Sequence, residues 1–247
     1  MQVTQSIDGE RLIAVFSAVV QHLGASLPNS YELVLHDLSK LPHSIVAVSG
    51  EVTRRSVGDP ATDLLLGQAA TGRFESRHAY DTRLSDGRKL RSTTMIIEDV
   101  SGRPVAALCM NADLSVWEQL QAATARVFEA VGARQLDPAP PSELPAIGAD
   151  LGEVSHEAFV HDLDELAAHL INESIRNVGV PVELMKKRHK VEVVRDLRER
   201  GLFMLKDAVQ LIATELDVTR FTIYNYLNQL AEEEGGQVAG AAPREDS

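Results

Sequence analysis

The sequence predicts an α+β protein in two parts, an antiparallel-sheet domain first and an all-α domain second. Three observations carry that prediction. Short β-rich runs separated by turn residues fill residues 31–110, and two of them meet across Ser85-Asp86-Gly87, where Asp-Gly is a strong hairpin signal. Asp137-Pro-Ala-Pro-Pro-Ser142, continuing to Pro145 and Gly148, divides the chain, because proline at that density gives a semi-stiff linker. Beyond it, two apolar runs with helical spacing flank a tight turn near the C-terminus. The expected boundaries are a sheet domain with flanking helices over 1–133, a linker over 134–155, a helical domain over 156–231 and a disordered tail over 232–247.

Taken in order, Gly9 to Leu23 reads as an amphipathic helix with Leu12, Phe16, Val19, Val20 and Leu23 on its apolar stripe, stopped by Gly24 and Pro28. Tyr31–His36 and Ser44–Ser49 are β-rich runs joined by the turn-forming residues Leu38 to Pro42, as in adjacent strands. Asp59 and Pro60 mark a helix entry, with Asp59 as cap and a helix over about 61–70. His78–Leu84 and Leu90–Glu98 form the hairpin, and a turn at Ser101-Gly102-Arg103 leads into a strand over Val105–Met110. Helix, two strands, helix, then a three-stranded meander is an α+β layout with an antiparallel sheet. Leu114–Val131 is a further helix whose apolar edge (Leu114, Trp117, Leu120, Ala123, Val127, Ala130) suits either a dimer seam or packing on the sheet. After the linker, helices are expected over Phe159–Val178, broken by Pro181, and over Met185–Arg200, ended by Gly201. The segment from Glu232 onward is acidic and Gly/Ala-rich, a composition that does not support a packed core.

The closing pair of helices carries the functional signal. Val209, Ile212, Ala213 and Leu216 share one helical face, and Ile223, Tyr226, Leu227 and Leu230 repeat the spacing after a break. Leu216-Asp217-Val218-Thr219 between them reads as a turn, with Thr219 capping the second helix. Two short helices so joined form a helix-turn-helix, whose second helix enters the DNA major groove. The turn in this motif usually has Gly where this chain has Asp217, a mild departure because Asp tolerates the left-handed conformation. The outer face of the second helix carries Arg220, Phe221, Tyr224, Asn225 and Asn228. Arg pairs with guanine, Asn with adenine, and an aromatic ring can meet a thymine methyl. Those five are the expected base contacts, with Thr219 and Lys206 on phosphates. The bland alternative is a helical hairpin that packs in a core or binds protein.

Composition bounds the rest. At 247 residues and 44% hydrophobic content the chain has room for two folded domains. No apolar run approaches the ~18 residues a membrane span needs, and the N-terminus lacks the plan of a signal peptide. A single cysteine, Cys109, excludes an intramolecular disulfide and fits the cytoplasm; as a site it reads as a small buried hydrophobe. The net charge of −12 argues against indiscriminate contact with phosphates, yet nine basic residues face seven acids between Glu183 and Ala231, so one face can still be basic. Lys186 to Lys190 lies outside the second helix and suits a phosphate-facing edge. Enzyme signatures are missing. His156 and His161 flank an H-E-x-x-x-H run, but five residues apart they point ~140° from each other on a helix and cannot share a zinc. No spacing forces His36, His43 and His78 together, and there is no G-x-S-x-G, P-loop or Cys pair. No catalytic residue, metal or cofactor is expected.

Several blocks resemble one family. Leu35-His-Asp-Leu38, Ser56-Val-Gly-Asp-Pro60, Ser92-Thr93 and Leu108-Cys-Met-Asn-Ala-Asp113 are similar to the YheO-like PAS regulators. Pro181-Val-Glu-Leu-Met185, Val194-Arg-Asp-Leu197 and Phe221-Thr-Ile-Tyr-Asn-Tyr-Leu227 are similar to the helix-turn-helix of D-arginine utilisation repressor (DauR)-type proteins. The resemblance covers nearly everything except the linker, which departs in length and proline content, and the tail. It implies an N-terminal PAS-like sensor coupled to a DNA-binding domain in a transcription regulator, a repressor being favoured. A sensor's ligand sits between sheet and covering helices in a mostly apolar pocket with a few polar groups. His36, Asp37, Tyr80, Ser92, Thr93 and Asn111 are the candidates on or beside strands, with Asp37 suited to an amine and Ser92, Thr93 and Asn111 to a carboxylate. The expected partners are double-stranded operator DNA, a small-molecule effector such as an amino acid, and further copies of the chain, as a homodimer or higher homo-oligomer reading half-sites ~34 Å apart. The alternative is a signalling adaptor whose C-terminal helices bind protein.

Overall fold

The computed structural model describes residues 7–84, 86–130, 157, 159 and 162–239 of the chain. The elements are α1 (Ile7–Gly24), β1 (Tyr31–Asp37), β2 (Ile45–Ser49), α2 (Asp63–Thr71), β3 (Arg77–Arg83), β4 (Lys89–Glu98), β5 (Pro104–Asp113), α3 (Ser115–Ala130), α4 (Leu163–Val178), α5 (Lys187–Glu199), α6 (Ala208–Glu215) and α7 (Arg220–Ala239). By packing, they divide into two units. One holds the strands with α1, together with Glu157 and Phe159; the other holds α4 to α7 and, from the middle of the sheet sequence, Asp63–Arg73. The α+β class is therefore as expected from the strand and helix patterns.

The sheet unit is a five-stranded antiparallel sheet in the order β2-β1-β5-β4-β3. β1 is an interior strand, between β2 and β5, and all its positions after Tyr31 are buried, as a strand covered on both faces requires. Strand side chains alternate between faces, so each register fixes two sets of neighbours. Leu33 and Leu35 face α1, where Val20, Leu12, Ile13 and Phe16 close a core with Ala47, Ile97, Val105 and Ala106. Each such large apolar side chain contributes about 1.5–3 kcal/mol when fully buried. Turns lie where Gly marks them: Gly87 N–H donates to the Leu84 carbonyl at 2.9 Å, and Gly102 N–H to the Asp99 carbonyl at 2.9 Å.

Three sequence expectations move, and of the two alternatives left for the Leu114–Val131 helix the packing on the sheet drops out. The α2 helix begins at Asp63, not after Pro60, because the intervening groups are already engaged: the Asp59 carboxylate accepts from Ser56 N–H at 2.7 Å, and Ala61 N–H donates to the Pro42 carbonyl at 2.8 Å. The helix expected from Phe159 starts at Leu163, where Asp162 caps it by accepting from Glu165 N–H at 2.7 Å. The apolar edge of α3 is open rather than packed on the sheet, with Val116, Trp117, Leu120 and Val127 all more than half exposed. Finally, α7 continues past Glu232 to Ala239, where a disordered tail was expected; the Glu233 carboxylate is held by Arg195 and Gln229, each at 2.9 Å. Residues 134–155, His156, His161 and 240–247 lie outside the described residues.

In the helical unit, Leu166, Leu170 and Ile171 of α4 and Val191, Val194 and Leu197 of α5 are buried together with Leu202, Ile212, Leu216 and Ile223. Leu65 and Leu66 of α2 are buried as well. Arg200, just after α5, ties α2 to α4: its guanidinium donates to Asp63 at 3.1 Å and to Glu173 at 2.5 Å. Gly201 follows with φ +77°, and a Cβ there would sit 2.5 Å from the Leu66 carbonyl oxygen. Only glycine combines that backbone angle with so close an approach. Among the described residues, no helix is long and apolar enough to cross a membrane.

Candidate functional site

Two constellations stand out, one in each unit. In the helical unit, α6 and α7 meet across the turn the sequence predicts. Val218 N–H donates to the Ala213 carbonyl at 2.9 Å and Asp217 N–H to Thr214 at 3.2 Å, while Asp217 itself takes the left-handed conformation at φ +48°. Thr219 then caps α7, its hydroxyl accepting from Thr222 N–H at 3.2 Å. Lys190 reaches from α5 to donate to the Leu216 carbonyl at 2.6 Å. That bond satisfies an orphan carbonyl at the end of α6 and places a cation at the negative end of its dipole. Lys190 thus has a structural task within the region read as a phosphate edge.

Around α7, the buried residues Ile223, Tyr226 and Leu230 occupy one narrow arc. Arg220, Phe221, Tyr224, Asn225 and Asn228 are all exposed and fall within about 140° on the other side at ~100° per residue. Phe221 is 72% and Tyr224 54% exposed, although both are large and aromatic. A helix that only packs has no use for two rings held in water beside an Arg and two Asn. Lys206 and Thr219 are exposed at the ends of α6 and at the entry to α7. The structure therefore brings all seven expected nucleic-acid contacts to solvent near one helix pair.

In the sheet unit, the face turned away from α1 is polar and buried. Glu32 and His36 share it on β1 with Val34; Asn111 and Cys109 lie opposite Ser92 and Thr94 on β5 and β4. Glu32 is fully buried and accepts from Thr53 N–H at 2.9 Å, the Thr53 hydroxyl at 2.5 Å and the Asn111 amide at 3.2 Å. The chain goes on: Ser92 donates to Asn111 Oδ1 at 2.9 Å, and Thr82 shares a 2.9 Å bond with Ser92. Tyr80 donates to the Glu157 carboxylate at 3.0 Å and accepts from Thr94 at 2.9 Å, which in turn meets Cys109 Sγ at 3.4 Å. His36 Nδ1 lies 2.8 Å from the Ser44 hydroxyl. Arg55, also buried, donates through Nε to the Thr53 hydroxyl at 3.2 Å, and the Phe159 ring centroid lies 5.1 Å from its guanidinium carbon.

The protonation states follow from that environment. Burial first, and then the Arg55 charge, hold His36 well below the usual imidazole range, so it is neutral. Burial and the neighbouring Glu157 carboxylate push the Tyr80 phenol far up, which keeps it a donor. Burial pushes the Cys109 thiol up to about 11, the opposite of a reactive thiolate.

Of the six expected ligand contacts, His36, Tyr80, Ser92 and Asn111 share this face. Asp37 and Thr93 do not, because a one-residue step along a strand reverses the side chain. Asp37 caps the 3-10 turn at Leu38–Lys40, accepting from Ser39 N–H at 3.0 Å and its hydroxyl at 2.7 Å. Thr93 accepts from Ala79 N–H at 3.0 Å and so pins the irregularity between Arg77 and Tyr80. The sequence reading missed Glu32, Thr82, Thr94, Arg55 and Glu157. Alternation would have found the first three, since Glu32 is in phase with His36 and Thr94 with Ser92. Among the described residues, no three His, Cys, Asp or Glu side chains converge as a metal site.

Comparison with known proteins places these units in context. The family model for the YheO-like PAS domain matches residues 7–129, and that for an HTH domain matches 166–228. The chain is 28% identical over 229 residues to an uncharacterized protein of Haemophilus influenzae, covering 92% of this chain and 95% of that one. It is 27% identical to the uncharacterized protein YheO of Escherichia coli, over 88% of this chain and 84% of YheO. To the transcriptional regulator DauR of Pseudomonas aeruginosa it is 28% identical, over 81% of this chain and 86% of DauR. No solved structure matches it.

Proposed function

The chain belongs to the YheO-like PAS family, with an HTH domain that makes it a DNA-binding regulator, and we propose that it is a ligand-responsive repressor acting as a homodimer in the cytoplasm. The observation that carries the DNA reading is the solvent-facing stripe of α7, with two aromatic rings, an Arg and two Asn ahead of a capped, well-packed inner face. In this reading Arg220, Phe221, Tyr224, Asn225 and Asn228 contact base edges, while Thr219 and Lys206 position the helix on phosphates. Two copies read two half-sites ~34 Å apart or multiples of it. The effector binds the polar face of the sheet, where His36, Tyr80, Ser92 and Asn111 meet. Its differential affinity for the two DNA-affinity states sets the response, and the coupling is reciprocal.

The test is binding of the purified chain to the DNA upstream of its own gene, across a salt series, beside unrelated DNA. A regulator binds its own site tightly and loses affinity steeply with salt. A folded protein with no selectivity at any salt, with or without candidate effectors, overturns the reading in favour of the protein-binding adaptor.

A further inference from the structure

From the sheet unit we infer that Arg55 is the anchor of a carboxylate subsite, so that the effector is a small organic carboxylate. The inference rests on the sensor reading of this face and narrows it to a ligand class. Arg55 is only 4% exposed, yet its Nη1 has no hydrogen-bond partner among the described residues. Buried guanidinium donors are ordinarily satisfied, and one left open needs a reason. Its Nε is fixed by the Thr53 hydroxyl, and Thr53 is fixed by Glu32, so the fork is held from one side while Nη1 at its other end is buried without a partner among the described residues. Phe159 covers the guanidinium plane. What remains is the in-plane edge, the direction from which Arg binds planar oxyanions, often with two parallel bonds.

Glu32 does not already serve that purpose. Three donors occupy its oxygens, two from Thr53 and one from Asn111, and it meets Arg55 only through Thr53. The neighbouring polar groups are largely spoken for among themselves as well: Thr82 with Ser92 and Asn111, and Tyr80 with Glu157 and Thr94. A ligand that brings an acceptor for Nη1 completes the site without breaking any of these bonds. An amine or other cation gains nothing there, since Arg55 repels it. A phosphate offers the right charge, but the acids Glu32 and Glu157 on the same face disfavour a dianion more than a monoanion.

The probes are formate and acetate, the carboxylate group itself and its methyl homologue, with chloride at equal ionic strength and acetamide as controls. The intact chain is followed by thermal unfolding and by the side-chain Nε–H resonance of Arg55, assigned by its loss in Arg55→Lys. The expected result is a saturable shift of that resonance by formate and acetate at millimolar concentrations, with a rise in Tm, neither given by chloride or acetamide. Arg55→Lys, which keeps the charge and most of the volume, weakens the Tm response at least fivefold in ligand concentration. An Arg55 resonance that formate and acetate move no more than chloride does overturns the inference, as does an undiminished Tm response in Arg55→Lys. The sensor reading fails separately. It survives if neutral or amine metabolites raise Tm in a manner lost in Ser92→Ala, and falls if they too leave the protein unmoved.

Discussion

Replacing Gly201 by Ala tests whether α2 is built into the helical unit, and Gly179→Ala supplies the control. Both glycines follow helices, α5 and α4, in the left-handed conformation, at φ +77° and +69°. Both substitutions therefore carry the same backbone strain, about 1–2 kcal/mol. They differ in what the new methyl meets. At Gly179 there is nothing within 4 Å; at Gly201 the Cβ would lie 2.5 Å from the oxygen and 2.9 Å from the carbon of the Leu66 carbonyl. Leu66 is fully buried, and the contact is with backbone, so no rotamer change relieves it. Separating the two by the several tenths of an ångström required adds an overpacking term of about 1–3 kcal/mol. Gly179→Ala should then lose about 1–2 kcal/mol and Gly201→Ala about 2–5 kcal/mol. Urea unfolding of the full chain, followed by helical circular dichroism, resolves that difference, because at about 1–3 kcal/mol per molar urea it displaces the midpoint visibly. Equal losses in the two variants, within about 0.5 kcal/mol, would sink the argument, since Leu66 could then not be seated against Gly201.

Two further outcomes check the functional faces. Asn225→Ala should weaken operator binding by about 1–3 kcal/mol and leave binding to random DNA unchanged, measured by parallel titrations at one salt concentration; an equal loss on both removes Asn225 from the base contacts. Because His36 is buried neutral, the folded state takes up its proton only well below the pH at which the unfolded chain does. Stability is unaffected above about pH 6.5 and falls as pH drops below it, by at most about 1.4 kcal/mol per pH unit. His36→Gln should flatten that limb between pH 6.5 and 5 in a series of urea midpoints, and an unchanged slope would refute the assignment.

How much of this was legible in the sequence depends on the period each feature follows. The helix pair was legible because its two apolar runs, its Asp217 turn and its Thr219 cap are all local, and the structure keeps each of them. The sheet was legible as strands with Gly-marked turns for the same reason. The buried polar face of the sheet was half legible: His36, Tyr80, Ser92 and Asn111 share it, but strand alternation splits Ser92 from Thr93 and His36 from Asp37. Arg55 and Glu157 were not legible at all. Neither lies on a strand, and each reaches the face through contacts that join residues far apart in sequence, as when Tyr80 meets Glu157. The membership of α2 is hidden likewise, since only folding brings Asp63 within 3.1 Å of Arg200.

The charge distribution limits how the helical unit can hold DNA. A chain of net charge −12 approaches a polyanion productively only through a local excess of cations. Of the nine between Glu183 and Ala231, four are engaged: Arg195 with Glu233, Arg200 with Asp63 and Glu173, Lys190 with the Leu216 carbonyl, and Arg198. At most five remain per copy for phosphates, and Asp207, Glu215 and Asp217 lie along the same helix pair to oppose them. At ~0.9 counterions released per phosphate contact, log affinity should fall with log salt at a slope no steeper than about −4.5 per copy, and about −9 for a dimer. A slope near zero would mean that the exposed α7 stripe meets something other than a phosphate backbone. A slope beyond the dimer limit would mean that more than two copies engage one site. Acidity over the rest of the chain makes the second result informative, because its net negative charge opposes further phosphate contacts.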